Sequence, residues 1–177
     1  MGVNAEITAD HNKIKKADKV IFPGVGEAST TMNYLRKFGL DEIITSLKQP
    51  VLGICLGLQL MCSHSEENDT ECVGIFDEPV KRLIKKPGKE CITKVPHMGW
   101  NSLSKVNGDL FPEKLKGEFV YFVHSYYAGM GEHTAAVTDY IVPFSAALQK
   151  NNFHATQFHP EKSGTVGAEI LKNFLNL

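Results

Sequence analysis

Two short segments of this chain hold side chains whose types and spacing suit nucleophilic catalysis. The first is Gly53-Ile54-Cys55-Leu56-Gly57. An apolar run after Pro50 predicts a buried strand and Leu56 to Cys62 predicts a helix, so Cys55 falls on the turn between them. Glycines two residues before and after the cysteine make it the thiol counterpart of the Gly-x-Ser-x-Gly elbow, where crowding favours residues without a Cβ. A thiol at the start of a helix is expected to have a lowered pKa, and the Leu56 N–H is a candidate oxyanion donor. The second segment is His159-Pro160-Glu161. In extended chain, residues i and i+2 share a side, so Glu161 is expected to orient His159, which would act as base toward Cys55. Taken alone, a surface turn explains the same tripeptide.

These groups need a sheet that brings strand ends together. Lys19 to Phe22 predicts a short strand entering Pro23-Gly24-Val25-Gly26, a loop whose Gly24 or Val25 N–H could be a second oxyanion donor; a plain strand-to-helix turn is the competing reading. Glu27 to Phe38 predicts a helix capped near Gly39, and Asp41 to Leu47 a shorter one. Strand, helix, strand, helix at this spacing predicts an α/β fold with a mostly parallel sheet flanked by helices. Val3 to Thr8 is weakly strand-like, and Lys13 to Asp18 is expected to be a polar connection.

Ser63 to Thr70 is expected to be a surface loop. Pro79 to Ile84 and Ile92 to Val95 predict short strands around the basic turn Lys85 to Lys89. Pro96-His97-Met98-Gly99-Trp100-Asn101, holding the sole tryptophan, is expected to be an ordered loop or contact surface, or a Trp folded over the core edge. Phe119 to Val123 is the strongest predicted strand, with Ser125 and Tyr126 beyond its C-terminal end as candidate substrate contacts. Phe153 to Phe158 predicts another strand and Val166 to Leu175 a closing amphipathic helix. The histidines other than His159 lack an acidic partner two residues on and are expected at the surface or the core edge.

With 177 residues and a net charge of −1, the chain is expected to form one domain, residues 1–177, with no basic stripe for nucleic acid. No stretch reaches membrane-spanning length. Cys55, Cys62, Cys72 and Cys91 have neither zinc-like spacing nor a disulfide pattern, which suits a cytoplasmic thiol enzyme without a metal.

With Gly53 to Gln59 and Gln157-Phe158-His159-Pro160-Glu161-Lys162-Ser163-Gly164 both in view, the chain resembles the class I triad glutamine amidotransferases. More narrowly it resembles the branch of that family forming glutaminase subunits of imidazole glycerol phosphate synthases. The narrower resemblance rests on Pro23 to Gly26, Pro96 to Asn101 and Phe122-Val123-His124-Ser125-Tyr126-Tyr127, which run in the family's order. It implies glutamine hydrolysis to glutamate and ammonia through a thioester on Cys55, with His159 as base and acid and Glu161 completing the triad. It also implies Leu56, Gly24 and Val25 around the oxyanion, and Gln59, Ser125 and Tyr126 around the substrate. His97, Met98, Trp100 and Asn101 match the region that meets a (β/α)8 barrel cyclase, which would receive the ammonia and make imidazole glycerol phosphate and AICAR in histidine biosynthesis. The family usually shows little glutaminase activity until that partner docks. No cofactor or metal is implied.

Against the family's pattern, an N-terminal strand and helix of ~25 residues, about one strand and one helix with loops, is absent before Val3. Unpaired edges and exposed apolar surface are therefore expected. Two alternatives stay open: a triad amidotransferase serving another acceptor, and an inactive truncated interaction subunit.

Overall fold

The computed structural model describes residues 2–84 and 94–177, so the predicted basic turn and part of the Ile92 to Val95 strand lie outside the described residues. In chain order the elements are α1 (His11–Lys16), β1 (Val20–Gly24), α2 (Ala28–Lys37), α3 (Leu40–Ser46), β2 (Val51–Cys55) and α4 (Leu56–Met61). Five short strands follow: β3 (His64–Ser65), β4 (Thr70–Glu71), β5 (Val80–Arg82), β6 (His97–Ser102) and β7 (Lys105–Val106). The rest comprises β8 (Phe119–His124), β9 (Tyr126–Ala128), β10 (Thr134–Asp139), β11 (Pro143–Lys150), β12 (Phe153–Thr156) and α5 (Gly164–Leu175).

The main sheet has the order β1-β2-β12-β11-β10-β7. β2 runs parallel to both β1 and β12, while β11, β10 and β7 are antiparallel to their neighbours. The α/β class holds, and the sheet is mixed, with its parallel part at the β1 edge. The antiparallel part follows from its connections: β10 and β11 are joined by residues 140–142 and β11 and β12 by Asn151 and Asn152, too short for a crossover helix. Asn151 takes a left-handed φ of 54°, as a tight hairpin turn needs. β1 forms one edge of the sheet, and Ile21 on it is 47% exposed.

Strand β2 divides the core. Val51 packs with Met32, Leu35, Ile44, Leu58, Met61 and Phe76 on one face. Leu52 and Ile54 point the other way, into Phe122, Phe144, Phe158, Ile170 and Phe174. Gly53 carries no side chain because α4 lies against it; a Cβ there would sit 2.6 Å from Met61 Sδ. Helix α2 begins where the Glu27 carboxylate accepts the Ser29 and Thr30 N–H groups at 3.1 and 3.0 Å. It ends before Gly39, whose φ of 63° closes it as expected.

Several expectations are corrected. Residues 3–8 form no strand, and much of Lys13 to Asp18 lies in α1, which starts where Asp10 caps the Asn12 and Lys13 N–H groups. The segment Ser63 to Thr70 includes the hairpin of β3 and β4 rather than only a loop. His97 to Ser102 is strand β6, paired antiparallel with β8 along its whole length, rather than a loop. Lys94 and Val95 belong to no strand.

Candidate active site

Because β1, β2 and β12 run parallel, their C-terminal ends lie at one end of the sheet. The register pairs Gly24 with Cys55 and Ile54 with Thr156, so Gln157 to His159 continue beside the cysteine. Cys55 has φ 55° and ψ −107°, a conformation rarely held by a residue with a side chain and worth about 1–3 kcal/mol of strain. Close packing holds it there. A Cβ on Gly57 would meet Phe22 O at 2.0 Å, and one on Gly24 would meet Leu56 Cβ at 2.7 Å. Gly24 and Gly57 therefore let β1 pack against the first turn of α4, and Gly57 is one of the two glycines the crowding argument named.

The Cys55 Sγ lies 3.9 Å from Val123 O and 3.9 Å from Gln157 Nε2, and the Leu56 N–H also points at it. Burial pushes the thiol pKa up to about 11; the Leu56 N–H, Lys162 and Gln157 oppose that shift, and the Glu161 charge adds to it. This corrects the expectation of a lowered pKa. α4 spans six residues, and the positive end of so short a helix does not outweigh desolvation.

His159 is 6% exposed, with Nδ1 2.8 Å from Glu161 Oε1. The carboxylate can only accept, so Nδ1 carries a proton, and in the neutral ring Nε2 then presents a lone pair. That Nε2 is buried with no hydrogen-bond partner. The tripeptide is not fully extended: residues 160–162 make a single 3-10 turn that brings Glu161 back toward the imidazole. The ring's backbone is fixed by His159 N–H donating to Tyr121 O at 2.9 Å and by Ser163 Oγ donating to His159 O at 2.7 Å.

A cavity of about 350 Å³ opens over these groups. Gly24, Val25, Cys55, Leu56, Gln59, Ser125, Tyr126 and His159, all expected from the sequence, lie on its wall. So do Glu67, Pro96, His124 and Lys162, which sequence reasoning left out of the site. Glu67 stands in a polar stretch expected to be solvated surface; its Oε2 accepts the Ala28 N–H at 2.8 Å, which anchors it at the cavity. Glu27, bound by Ser29, Thr30 and Asn68, keeps its carboxyl pKa at about 2 beside this wall. Among the described residues, no group of three or more His, Cys, Asp or Glu is placed to hold a metal ion. Among the same described residues, no helix is long and apolar enough to cross a membrane.

Alternation along β6 sorts its four expected partner-facing residues. Met98 and Trp100 are 64% and 54% exposed, Trp100 resting edge-on against Tyr121. His97 is buried and stacks on Tyr140 and Phe122, so its side chain is not part of an outer contact surface. Asn101 turns inward as well, donating to Asp139 O at 2.9 Å. His124 and His154 are also buried, which corrects their expected surface or core-edge position.

The glutamine amidotransferase class-I family model matches residues 2–177, and the chain belongs to that family. Its fold is shared with a solved glutamine amidotransferase at TM-score 0.69 and 17% identity, covering 99% of this chain and 86% of that one. A glutamine amidotransferase structure from Thermotoga maritima matches at TM-score 0.55 and 22% identity, covering 99% and 66%. Within the family, the chain belongs among the HisH subunits of imidazole glycerol phosphate synthase. It is 60% identical over 177 residues to that subunit of Bacteroides thetaiotaomicron, covering all of this chain and 89% of the relative. The subunit from Pasteurella multocida is 46% identical over 176 residues, with 99% and 86% covered.

Proposed function

We propose that this chain is the glutaminase subunit of an imidazole glycerol phosphate synthase, hydrolysing glutamine through Cys55 and passing ammonia to a (β/α)8 barrel cyclase. The observation that carries this reading is the free Nε2 of His159, held in its acceptor tautomer by Glu161 and buried beside the cavity that contains the elbow cysteine. His159 takes the thiol proton, and the thiolate attacks the side-chain carboxamide carbon of glutamine. The oxyanion that forms is met by the Leu56 N–H and by an N–H of Gly24 or Val25. The C–N bond then breaks as His159 returns the proton to the leaving nitrogen, giving ammonia and a γ-glutamyl thioester. Water, deprotonated by His159, attacks that thioester, and glutamate leaves as Cys55 regains its proton.

The cavity supports this substrate. Glu67 and Lys162 put one charge of each sign on its wall, matching the ammonium and carboxylate of an amino acid. Gln59 uses its Nε2 on Tyr126 O at 2.9 Å and Gln157 Oε1 at 3.1 Å, leaving Oε1 for the substrate amide. Val25 is 88% exposed and is followed by Gly26 at φ 110°, so the second oxyanion donor sits on an open loop. Together with the high thiol pKa, that loop suits a resting state completed when a partner docks on the Met98 and Trp100 surface. The enzyme works in the cytoplasm, where its thiols stay reduced.

The test is glutamate formation from glutamine by the chain alone and with a cyclase subunit carrying its nucleotide ligand. Turnover rising at least tenfold in the loaded complex is expected. Equal turnover with and without the cyclase would overturn the assignment of the partner.

A further inference from the structure

One hydrogen-bonded chain crosses the molecule from β6 to the reacting sulfur, and its polarity is set by a single backbone carbonyl. Tyr126 O can only accept. His124 Nδ1 lies 2.7 Å from it and Gln59 Nε2 2.9 Å, so both donate to it. On one side this fixes His124 as the Nδ1–H tautomer, whose bare Nε2 accepts from His97 Nδ1 at 3.0 Å. His97 Nε2 is left as the acceptor facing Asn101 Nδ2 at 3.4 Å. On the other side, Gln59 Nε2 has a second hydrogen and gives it to Gln157 Oε1 at 3.1 Å. Reversing the Gln59 amide would set its oxygen against the Tyr126 carbonyl. Reversing Gln157 would set two NH₂ groups against each other.

The amide of Gln157 therefore has one allowed direction, with its NH₂ toward Cys55 Sγ at 3.9 Å. Gln157 is wholly buried and Gln59, His97 and His124 are 5% exposed or less, so no solvent competes for these bonds. Among them, the proposed mechanism uses only Gln59, through its Oε1.

We propose that Gln157 is a further catalytic residue, donating its side-chain N–H to the Cys55 thiolate, with Gln59 and His124 as positioning residues that hold its amide in the donating direction. The inference rests on Cys55 being the nucleophile. At 3.9 Å the contact is long for the neutral thiol, and it shortens when sulfur becomes an anion, since charged acceptors draw donors in. The bond thus favours the thiolate over the resting thiol, and favours the departure of sulfur when the thioester breaks. In the free site the Leu56 N–H also points at the sulfur; once that N–H serves the oxyanion, the Gln157 N–H is the donor left to the sulfur. The other charged or titratable groups around it are His159, Glu161, Lys162, Glu67 and His124, and none can take the place of Gln157 in this row.

The variants are Gln157→Glu, nearly the same in shape but unable to donate when ionised, and Gln157→Leu, which carries no new charge. Site-specific alkylation of Cys55 by iodoacetamide, followed by peptide mass spectrometry across pH, reads the thiolate directly. Its midpoint is expected to rise by one unit or more in Gln157→Leu, a tenfold drop in alkylation rate at neutral pH. In the cyclase complex kcat is expected to fall tenfold or more with KM for glutamine within twofold. Gln59→Met, which leaves Gln157 in place but frees its amide to turn, is expected to give an intermediate shift.

An alkylation profile for folded Gln157→Leu that superimposes on the wild type would overturn the proposal. Should the Gln157 variants not fold, an unshifted profile in Gln59→Met would overturn it equally. Alkylation needs no turnover, so a wild-type complex that makes no glutamate would reject the glutaminase reading without deciding this one.

Discussion

Gly57 lies directly against the main chain of Phe22: a Cβ added to Gly57 would lie 2.0 Å from the Phe22 carbonyl oxygen. No side chain can move aside to relieve that contact, since the obstacle is the main chain of β1. Gly57→Ala is expected to cost about 3 kcal/mol or more, at the upper end of overpacking. Urea unfolding checks this. A variant as stable as the wild type would show that β1 can slide away from α4.

The buried histidines make stability depend on acid. Burial lowers the pKa of His97 to about 4 and of His124 to about 3, and lowers that of His154 as well. In the unfolded chain each takes a proton near the ordinary value of 6.5, so below that pH the unfolded state binds more protons and stability falls as pH falls. The loss is expected to run from pH 6.5 down toward pH 4 for His97 and pH 3 for His124, at up to ~1.4 kcal/mol per pH unit for each of these two. Denaturant midpoints measured from pH 7.5 to 4.5 check it. His97→Asn with His124→Asn is expected to flatten the curve.

Trp100 is expected to matter for assembly rather than folding. It is 54% exposed beside Met98, on a strand whose alternate side chains lock into the core. Trp100→Ala is expected to weaken cyclase binding by about 30-fold, the ~2 kcal/mol of an aromatic hot spot, with an unchanged unfolding midpoint. Titration of the cyclase by calorimetry measures the first quantity and thermal unfolding the second.

Glu161→Gln keeps the shape of the His159 partner while removing its charge. A glutamine amide can turn its NH₂ to the imidazole and favour the wrong tautomer, as well as failing to stabilise the imidazolium. The expected result is a fall of about 100-fold in kcat for glutamine, with KM little changed. Steady-state kinetics of the complex check this.

What could be read from the sequence was what is local. The elbow needs only Gly53, Cys55 and Gly57 in their order, and His159 finds Glu161 two residues away. The strand β6 could not be seen because Pro96 adjoins it and Gly99 interrupts its pattern, and its pairing with β8 joins residues such as His97 and His124 that are far apart in the chain. Glu67 gave no signal beyond its polarity, since only the Ala28 N–H, far off in sequence, holds it at the cavity. The direction of the Cys55 pKa shift depends on three-dimensional burial, which the position of the thiol at a helix start does not disclose. Gln157 was visible only as a letter in a motif; its partner Gln59 lies on α4, and Tyr126, whose carbonyl orients Gln59, lies on β9.

The central claim is that Cys55 is the nucleophile that opens glutamine. The measurement that tests it most directly is glutamate release by the cyclase complex formed with wild-type chain or with Cys55→Ala, both confirmed to bind the cyclase equally. The expected result is turnover by the wild type and none above background by Cys55→Ala. Residual glutamate formation by Cys55→Ala at a substantial fraction of the wild-type rate would contradict the assignment, and with it the reading of the elbow.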